Sequence, residues 1–125
     1  MTRVIIGEDC GNSPKNLFVQ KITIALAKGD VKSVLNSVTE DIRWSIVGDR
    51  VLQGTEQFVE ALQEKKNEKV VELNIHHIAT HGKAGAVDGT LKFKNKSHAF
   101  CYVYEFSNAK GIAVKEITSY IIEIK

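Results

Sequence analysis

The chain has 125 residues and a mass of 13.9 kDa, the size of one domain built around one hydrophobic core. Hydrophobic residues make up 43% of it and charged residues 26%, which excludes a disordered or collagen-like chain. Its 17 basic and 15 acidic side chains leave a net charge of +2, too balanced for a protein dedicated to nucleic acid or a membrane surface. We therefore expect a single domain over residues 1–125, with neither kind of partner.

The cysteine content and the N terminus bear on the compartment. Cys10 and Cys101 lie far apart in the sequence and do not form a disulfide framework, so we expect reduced thiols in a cytoplasmic protein. The apolar run at residues 4–6 is shorter than the core of a signal peptide. No segment approaches the roughly 20 apolar residues that span a bilayer.

Motifs for cofactors and metals are missing from the sequence. It contains no GxGxxG, P-loop, GxSxG or HExxH pattern. His76, His77 and His81 are spaced as H-H-x-x-x-H, which matches no helical zinc motif. We therefore expect neither a cofactor nor a metal site.

Three helices are predicted in the N-terminal half. Ser13 and Pro14 are typical of a helix start and Gly29 of a helix end, which predicts a first helix over residues 14–28. Asp30 then caps a second, amphipathic helix that extends to Val38. A third begins at residues 54–55 and ends in a charged run. That run, residues 64–69, has mixed sign and is predicted to be a solvated helix end rather than a binding patch.

The remaining elements are strands. Residues 42–46 alternate apolar and polar, and from Val70 onward the period is two, with turns near residues 82–85, 94–96 and 108–111. This order predicts an α+β domain, with three N-terminal helices packed on a strongly curved, mostly antiparallel sheet. Residues 1–13 are an extra N-terminal segment that adds either an edge strand or a lid.

One strand carries a row of large side chains that end in polar groups. Alternation places His98, Phe100, Tyr102, Tyr104 and Phe106 on the same face. Two interpretations stay open: ordinary core packing, or the wall of a pocket for a small apolar molecule. In a pocket wall, a tyrosine could donate a hydrogen bond to a developing oxyanion.

Three residues are candidates for acid–base catalysis. His77 and His98 qualify because histidine titrates near neutral pH, and His77 is predicted to share a face with Leu73 and Ile75. Asp88 would be a base of raised pKa if it were buried inside the domain. Strict alternation places it on the outer face, but a bulge near Gly89 could turn it inward.

Several short stretches resemble one family. They combine a helix followed by Gly29-Asp30, a strand with Asp41 and Trp44, a short helix at residues 54–58, and strand turns at residues 82–89 and 108–112. Over about residues 14–124 this pattern resembles the SnoaL-like family of the nuclear transport factor 2-like superfamily. The resemblance implies a cone-shaped, cystatin-like α+β fold with a pocket at its open end, and a homodimer formed through the sheet.

The resemblance also implies roles for particular residues. It favours Tyr102 or Tyr104 as pocket wall, places Trp44 either near the pocket or in the core, and points either Glu116 or Lys115 into the pocket. The superfamily that the chain resembles includes ketosteroid isomerases, polyketide cyclases and many non-catalytic domains. The resemblance therefore implies a possible acid–base isomerase, cyclase or hydratase acting on a small apolar substrate. The alternative is a non-catalytic homodimeric module that binds a ligand or another protein.

Overall fold

Seven strands and three helices form the fold in a computed structural model of the chain, which describes residues 2–108 and 113–124. This confirms the α+β class. In chain order the elements are β1 (Arg3–Asp9), α1 (Pro14–Lys28), α2 (Val31–Leu35), β2 (Val38–Ile46), β3 (Arg50–Gln53), α3 (Gly54–Lys66), β4 (Glu72–His81), β5 (Ala84–Lys92), β6 (Ser97–Phe106) and β7 (Val114–Ile124).

The strands form one mixed sheet in the order β1-β4-β5-β6-β7-β2-β3. β4 to β7 are the expected antiparallel meander, and β2 also pairs antiparallel with β3. The pairings of β1 with β4 and of β2 with β7 are parallel. The expectation of a strongly curved, mostly antiparallel sheet is not confirmed, because the sheet does not curl strongly and parallel pairings join it at β1 and at β2.

The N-terminal segment takes one of its two expected forms, one strand was not predicted, and one helix is shorter than predicted. Part of the N-terminal segment forms β1, which pairs with β4 from Arg3 opposite Glu72 onward, so the segment adds an edge strand. β3 was not predicted because Leu52 is its only buried residue, so the segment shows no alternation of buried and exposed positions. α2 ends at Leu35 because Val38 already belongs to β2. The turn predicted at residues 108–111 lies mostly outside the described residues.

The first helix forms as its end signals predict. The Ser13 side chain accepts a hydrogen bond from the backbone N–H of Asn16, and Gly29 adopts the left-handed conformation at φ 67°. α1 and α3 pack on one face of the sheet, and the core lies between these helices and the sheet. The largest fully buried side chains in that core are Tyr104, Phe58, Phe106, Ile22, Ile42 and Leu62.

Within the described residues, no helix is long and apolar enough to cross a membrane.

A β-bulge interrupts β4 at His76. Ile75 lies opposite Gly89 and His77 opposite Asp88, so His76 has no partner residue on β5. The extra residue shifts the alternation by one position, which leaves Ile75 and Ile78 buried while His77 is exposed. The expectation that His77 shares a face with Leu73 and Ile75 is therefore wrong.

Candidate ligand-binding cavity

A cavity of about 390 Å³ lies between the C-terminal ends of α1 and α3 and the inner face of the sheet. This volume is in the range of small-molecule sites, near its lower end. α1 and the residue after it contribute Leu26, Ala27, Lys28 and Gly29. The end of α3 and the loop after it contribute Lys65, Lys66, Glu68, Lys69 and Val70. The sheet side contributes Leu91, Phe93, His98, Tyr102 and Ile121, and Thr2 also lines the cavity.

Gly29 allows the two helix ends to approach each other at the mouth of the cavity. It ends α1 with a positive φ of 67°, a conformation that L side chains rarely adopt. A Cβ atom at this position would lie 3.1 Å from Cγ of Lys66. The absence of a side chain therefore lets the stem of Lys66 pack against the end of α1.

Tyr102 is the tyrosine that lines the cavity. The side chain is buried, and this burial raises the pKa of the phenol, which stays protonated at neutral pH. Within the part of the chain that the structure describes, its hydroxyl has no hydrogen-bond partner. The hydroxyl oxygen is not completely enclosed by protein atoms, because the described residues contain no fully buried polar side-chain atom without a partner. The hydroxyl is thus available as a donor to a molecule in the cavity.

His98 lies on the same wall, at the beginning of β6. Its ring is half-buried and packs edge-on against Phe93, with the ring centroids 5.2 Å apart. Tyr102 is four residues further along the strand, a separation of roughly 13 Å. The two groups therefore contact different ends of the cavity and do not hydrogen-bond to each other.

The other aromatic candidates belong to the core rather than to the cavity lining. Tyr104 is fully buried and its hydroxyl forms a 2.8 Å hydrogen bond with Thr23 of α1. Trp44 donates to Ser119 at 2.8 Å and packs edge-on against Phe58. Phe100 is buried and stacks at a tilt on Tyr102, with the ring centroids 4.6 Å apart. For Trp44, Phe100 and Tyr104, the core interpretation is the one that the structure supports.

Asp88 and His77 lie on the outer face of the sheet, away from the cavity. The Asp88 carboxylate is 2.9 Å from Nδ1 of His77, and both side chains are substantially exposed. A bulge does exist beside Gly89, but it is on β4, and it turns His77 toward Asp88 instead of turning Asp88 inward. A base inside the cavity at either position is therefore incompatible with the fold. In residues 2–108 and 113–124 no cluster of three metal-ligating side chains occurs.

Neither alternative on β7 points into the cavity. Glu116 lies 4.0 Å from Arg43, and Lys115 pairs with Glu105 at 3.0 Å, so both belong to exposed ion pairs. The inward polar residue of this strand is Ser119, whose hydroxyl accepts from Trp44. Side chains point alternately to the two faces along β7. Ser119 therefore points inward because Ile117, two residues earlier, does so.

The lysines at the mouth were not expected to belong to a site. Lys65, Lys66 and Lys69 lie in the charged run that was predicted to be a solvated helix end, yet all three line the cavity together with Lys28. Lys65 is an exposed residue as a whole, but its amine lies 5.4 Å over the ring centroid of buried Trp44. Loss of hydration there lowers the pKa of the Lys65 amine.

Comparison with known proteins identifies the fold. The sequence matches no family model and no curated protein. An NTF2-like protein of unknown function from Cytophaga hutchinsonii superposes with a TM-score of 0.72 at 21% identity, covering 85% of this chain and 97% of that one. A candidate SnoaL-like polyketide cyclase from Shewanella denitrificans gives 0.74 at 14% identity, covering 88% and 92%. An LEH-like epoxide hydrolase of M. tuberculosis gives 0.69 at 21% identity, covering 85% and 80%. The expected nuclear transport factor 2-like fold is confirmed.

Proposed function

From the nuclear transport factor 2-like fold and its helix–sheet cavity, we propose that this chain is a SnoaL-like protein that binds a small, largely apolar molecule. The observation that carries the proposal is Tyr102, which lines the cavity and whose hydroxyl forms no hydrogen bond within the described residues. A ligand oxygen in the cavity would accept a hydrogen bond from this hydroxyl in place of water. The apolar walls of Leu91, Phe93 and Ile121 suit a hydrocarbon or aromatic body.

We further propose that His98 is the side chain that gives a proton to the bound molecule or takes one from it. His98 is the imidazole of the cavity lining, and imidazole is the side chain that enzymes most often use to transfer protons. Tyr102, at the far end of the cavity, would donate to an oxygen that gains negative charge. The enzymatic neighbours of the fold support this reading, since one is an epoxide hydrolase and another a candidate polyketide cyclase. Catalysis on a small apolar substrate is favoured over a filled, non-catalytic module.

Replacing Tyr102 with phenylalanine is expected to weaken binding of 2-acetylnaphthalene about tenfold, because the carbonyl oxygen loses its donor. The matched hydrocarbon 2-ethylnaphthalene has no acceptor, and its affinity should stay the same. Isothermal titration of the two compounds with wild-type protein and with Tyr102→Phe gives the comparison. Equal losses for both compounds, or a loss for neither, would remove Tyr102 from the proposed site.

We propose that the outer face of the sheet forms a homodimer. Val103, Tyr120, Ile122 and Ile124 are exposed there, with Ile122 exposed by 69%, and they lie on the adjacent strands β6 and β7. An apolar patch on two neighbouring strands is more extensive than scattered exposed residues and is typical of an interface. A second copy of the chain would cover it and leave both cavities open on the opposite face.

Ile122→Glu is expected to convert the protein from a dimer to a monomer of 13.9 kDa, because a carboxylate would be buried unpaired at the interface. Light scattering coupled to gel filtration measures the mass. Leu17→Glu is the control, since Leu17 is 48% exposed on α1 and lies away from this face. A wild-type monomer at micromolar concentration would contradict the proposed dimer.

A further inference from the structure

The four lysines at the cavity entrance, Lys28, Lys65, Lys66 and Lys69, form what we call the lysine mouth. Across residues 2–108 and 113–124, none of these four forms an ion pair, although six other basic side chains and His77 do. The part of the cavity lining that lies at the helix ends therefore carries four positive charges without an ion-pair partner.

The carboxylates nearest the lysine mouth are already engaged. Glu68, the acidic residue of the cavity lining, pairs with Lys96. Asp49, which acts on Lys65 at longer range, lies 4.0 Å from Arg50. Asp30 caps α2, and its hydrogen bonds from Ser33, assisted by the charges of Lys66 and Lys28, lower the pKa of its carboxyl group. None of these acidic groups forms an ion pair with a lysine of the mouth, so they offset its charge only at longer range.

The helix ends offset only part of the remaining charge. Lys28 lies in the last turn of α1, and Lys65 and Lys66 lie in the last turn of α3. Each helix C terminus carries roughly half a negative charge, which is smaller than the full charges placed there. The Lys65 amine has also lost hydration over Trp44, and an anion bound nearby would replace that lost stabilisation.

We infer that the cavity takes a small apolar molecule carrying one acidic group, with the acidic group held at the lysine mouth and the apolar body against Leu91, Phe93 and Ile121. The inference rests on the proposed function and narrows its ligand to the class of apolar acids. The distribution of the lining supports it, because the charged residues come from the helix ends and the loop after α3, while the apolar residues of the sheet form the opposite wall.

Two fluorescent probes that differ in one charged group test this inference on the full chain. The sulfonate 8-anilinonaphthalene-1-sulfonate stands in for an apolar acid, and its neutral parent N-phenyl-1-naphthylamine reports on the apolar cavity alone. The double variant Lys65→Met, Lys69→Gln is expected to weaken the sulfonate about tenfold and to leave the neutral probe unchanged. Salt near 1 M should likewise weaken only the sulfonate, because it screens charges that are exposed at the mouth.

The control for net charge is Lys21→Gln, Lys83→Gln, since both of these lysines are exposed and neither lines the cavity. This control should bind both probes as the wild type does. Unchanged binding of the neutral probe also shows that the mouth variant is folded. If the mouth variant weakens both probes equally or weakens neither, the inference is overturned while apolar binding stands. If neither probe binds the wild-type protein, the proposed function fails together with the inference.

Discussion

Replacing Gly89 with alanine is expected to lower the free energy of unfolding by about 3 kcal/mol, since overpacking against an immobile neighbour is costly. A Cβ atom at Gly89 would overlap the backbone oxygen of Asn74 and lie 3.1 Å from Cα of Ile75. Both atoms belong to the backbone of β4 beside the bulge, so no side-chain rotation can relieve the contact. The strand itself would have to move, and the pairing of β4 with β5 would weaken.

Thermal unfolding followed by circular dichroism measures this loss, which corresponds to a drop of roughly 10 °C in Tm for a chain of this size. Gly82→Ala separates the steric effect from backbone strain. Gly82 has a φ of 57°, but a Cβ atom added there would meet no other atom within 4 Å, so its replacement should cost about 1 kcal/mol. Equal losses for the two variants would show that the close approach at the bulge is absent.

Filling the cavity from its helical wall is expected to abolish the binding of 2-ethylnaphthalene. Ala27 lines the cavity at the end of α1, and a phenylalanine there would place a benzyl group in the space that the ligand occupies. The affinity should fall by at least about a hundredfold, equivalent to roughly 2.8 kcal/mol. Because the added ring is buried against apolar walls, the melting temperature should not fall.

Ile121→Trp repeats this test from the sheet side, since Ile121 lies on the opposite wall. Leu17→Phe is the matched control, because it adds an aromatic ring to an exposed position of α1 away from the cavity. Isothermal titration with 2-ethylnaphthalene compares the wild type with Ala27→Phe, Ile121→Trp and Leu17→Phe. Retained affinity in both filled variants would place the ligand elsewhere on the protein.

Local signals predicted the parts of the fold that depend on neighbours in sequence. The first helix starts and ends as Ser13, Pro14 and Gly29 indicate, because capping involves only residues a few positions apart. For residues 1–13 an edge strand and a lid stayed equally open, because the partner of β1, β4, lies about 70 residues away in sequence, as the pairing of Arg3 with Glu72 shows. A short apolar segment does not disclose a partner that distant.

The bulge at His76 shows why alternation failed on β4. It depends on the backbone of β5 at Gly89, where only a residue without a side chain permits the close approach. No pattern within β4 itself marks His76 as the extra residue, so His77 was placed on the wrong face. One inserted residue therefore moved a candidate catalytic histidine from the inside of the domain to the outside.

The candidate site was only partly predictable for a similar reason. Alternation correctly placed His98, Tyr102 and Tyr104 on the inner face of β6. Which tyrosine opens into the cavity depends on Thr23 of α1, which engages Tyr104 and leaves Tyr102 without a partner among the described residues. The role of Lys65 likewise depends on the end of α1 lying across from α3, because a mixed charged run alone is typical of a solvated helix end.

The most direct test of the central claim is a titration of isotope-labelled protein with 2-acetylnaphthalene, followed by amide chemical shifts in NMR spectra. The cavity between the helices and the sheet predicts saturable shifts at Leu91, Tyr102 and Ile121, and none at His77 or Asp88 on the outer face. Shifts confined to the outer face, or the absence of any saturable change, would contradict the assignment of this cavity as the ligand site.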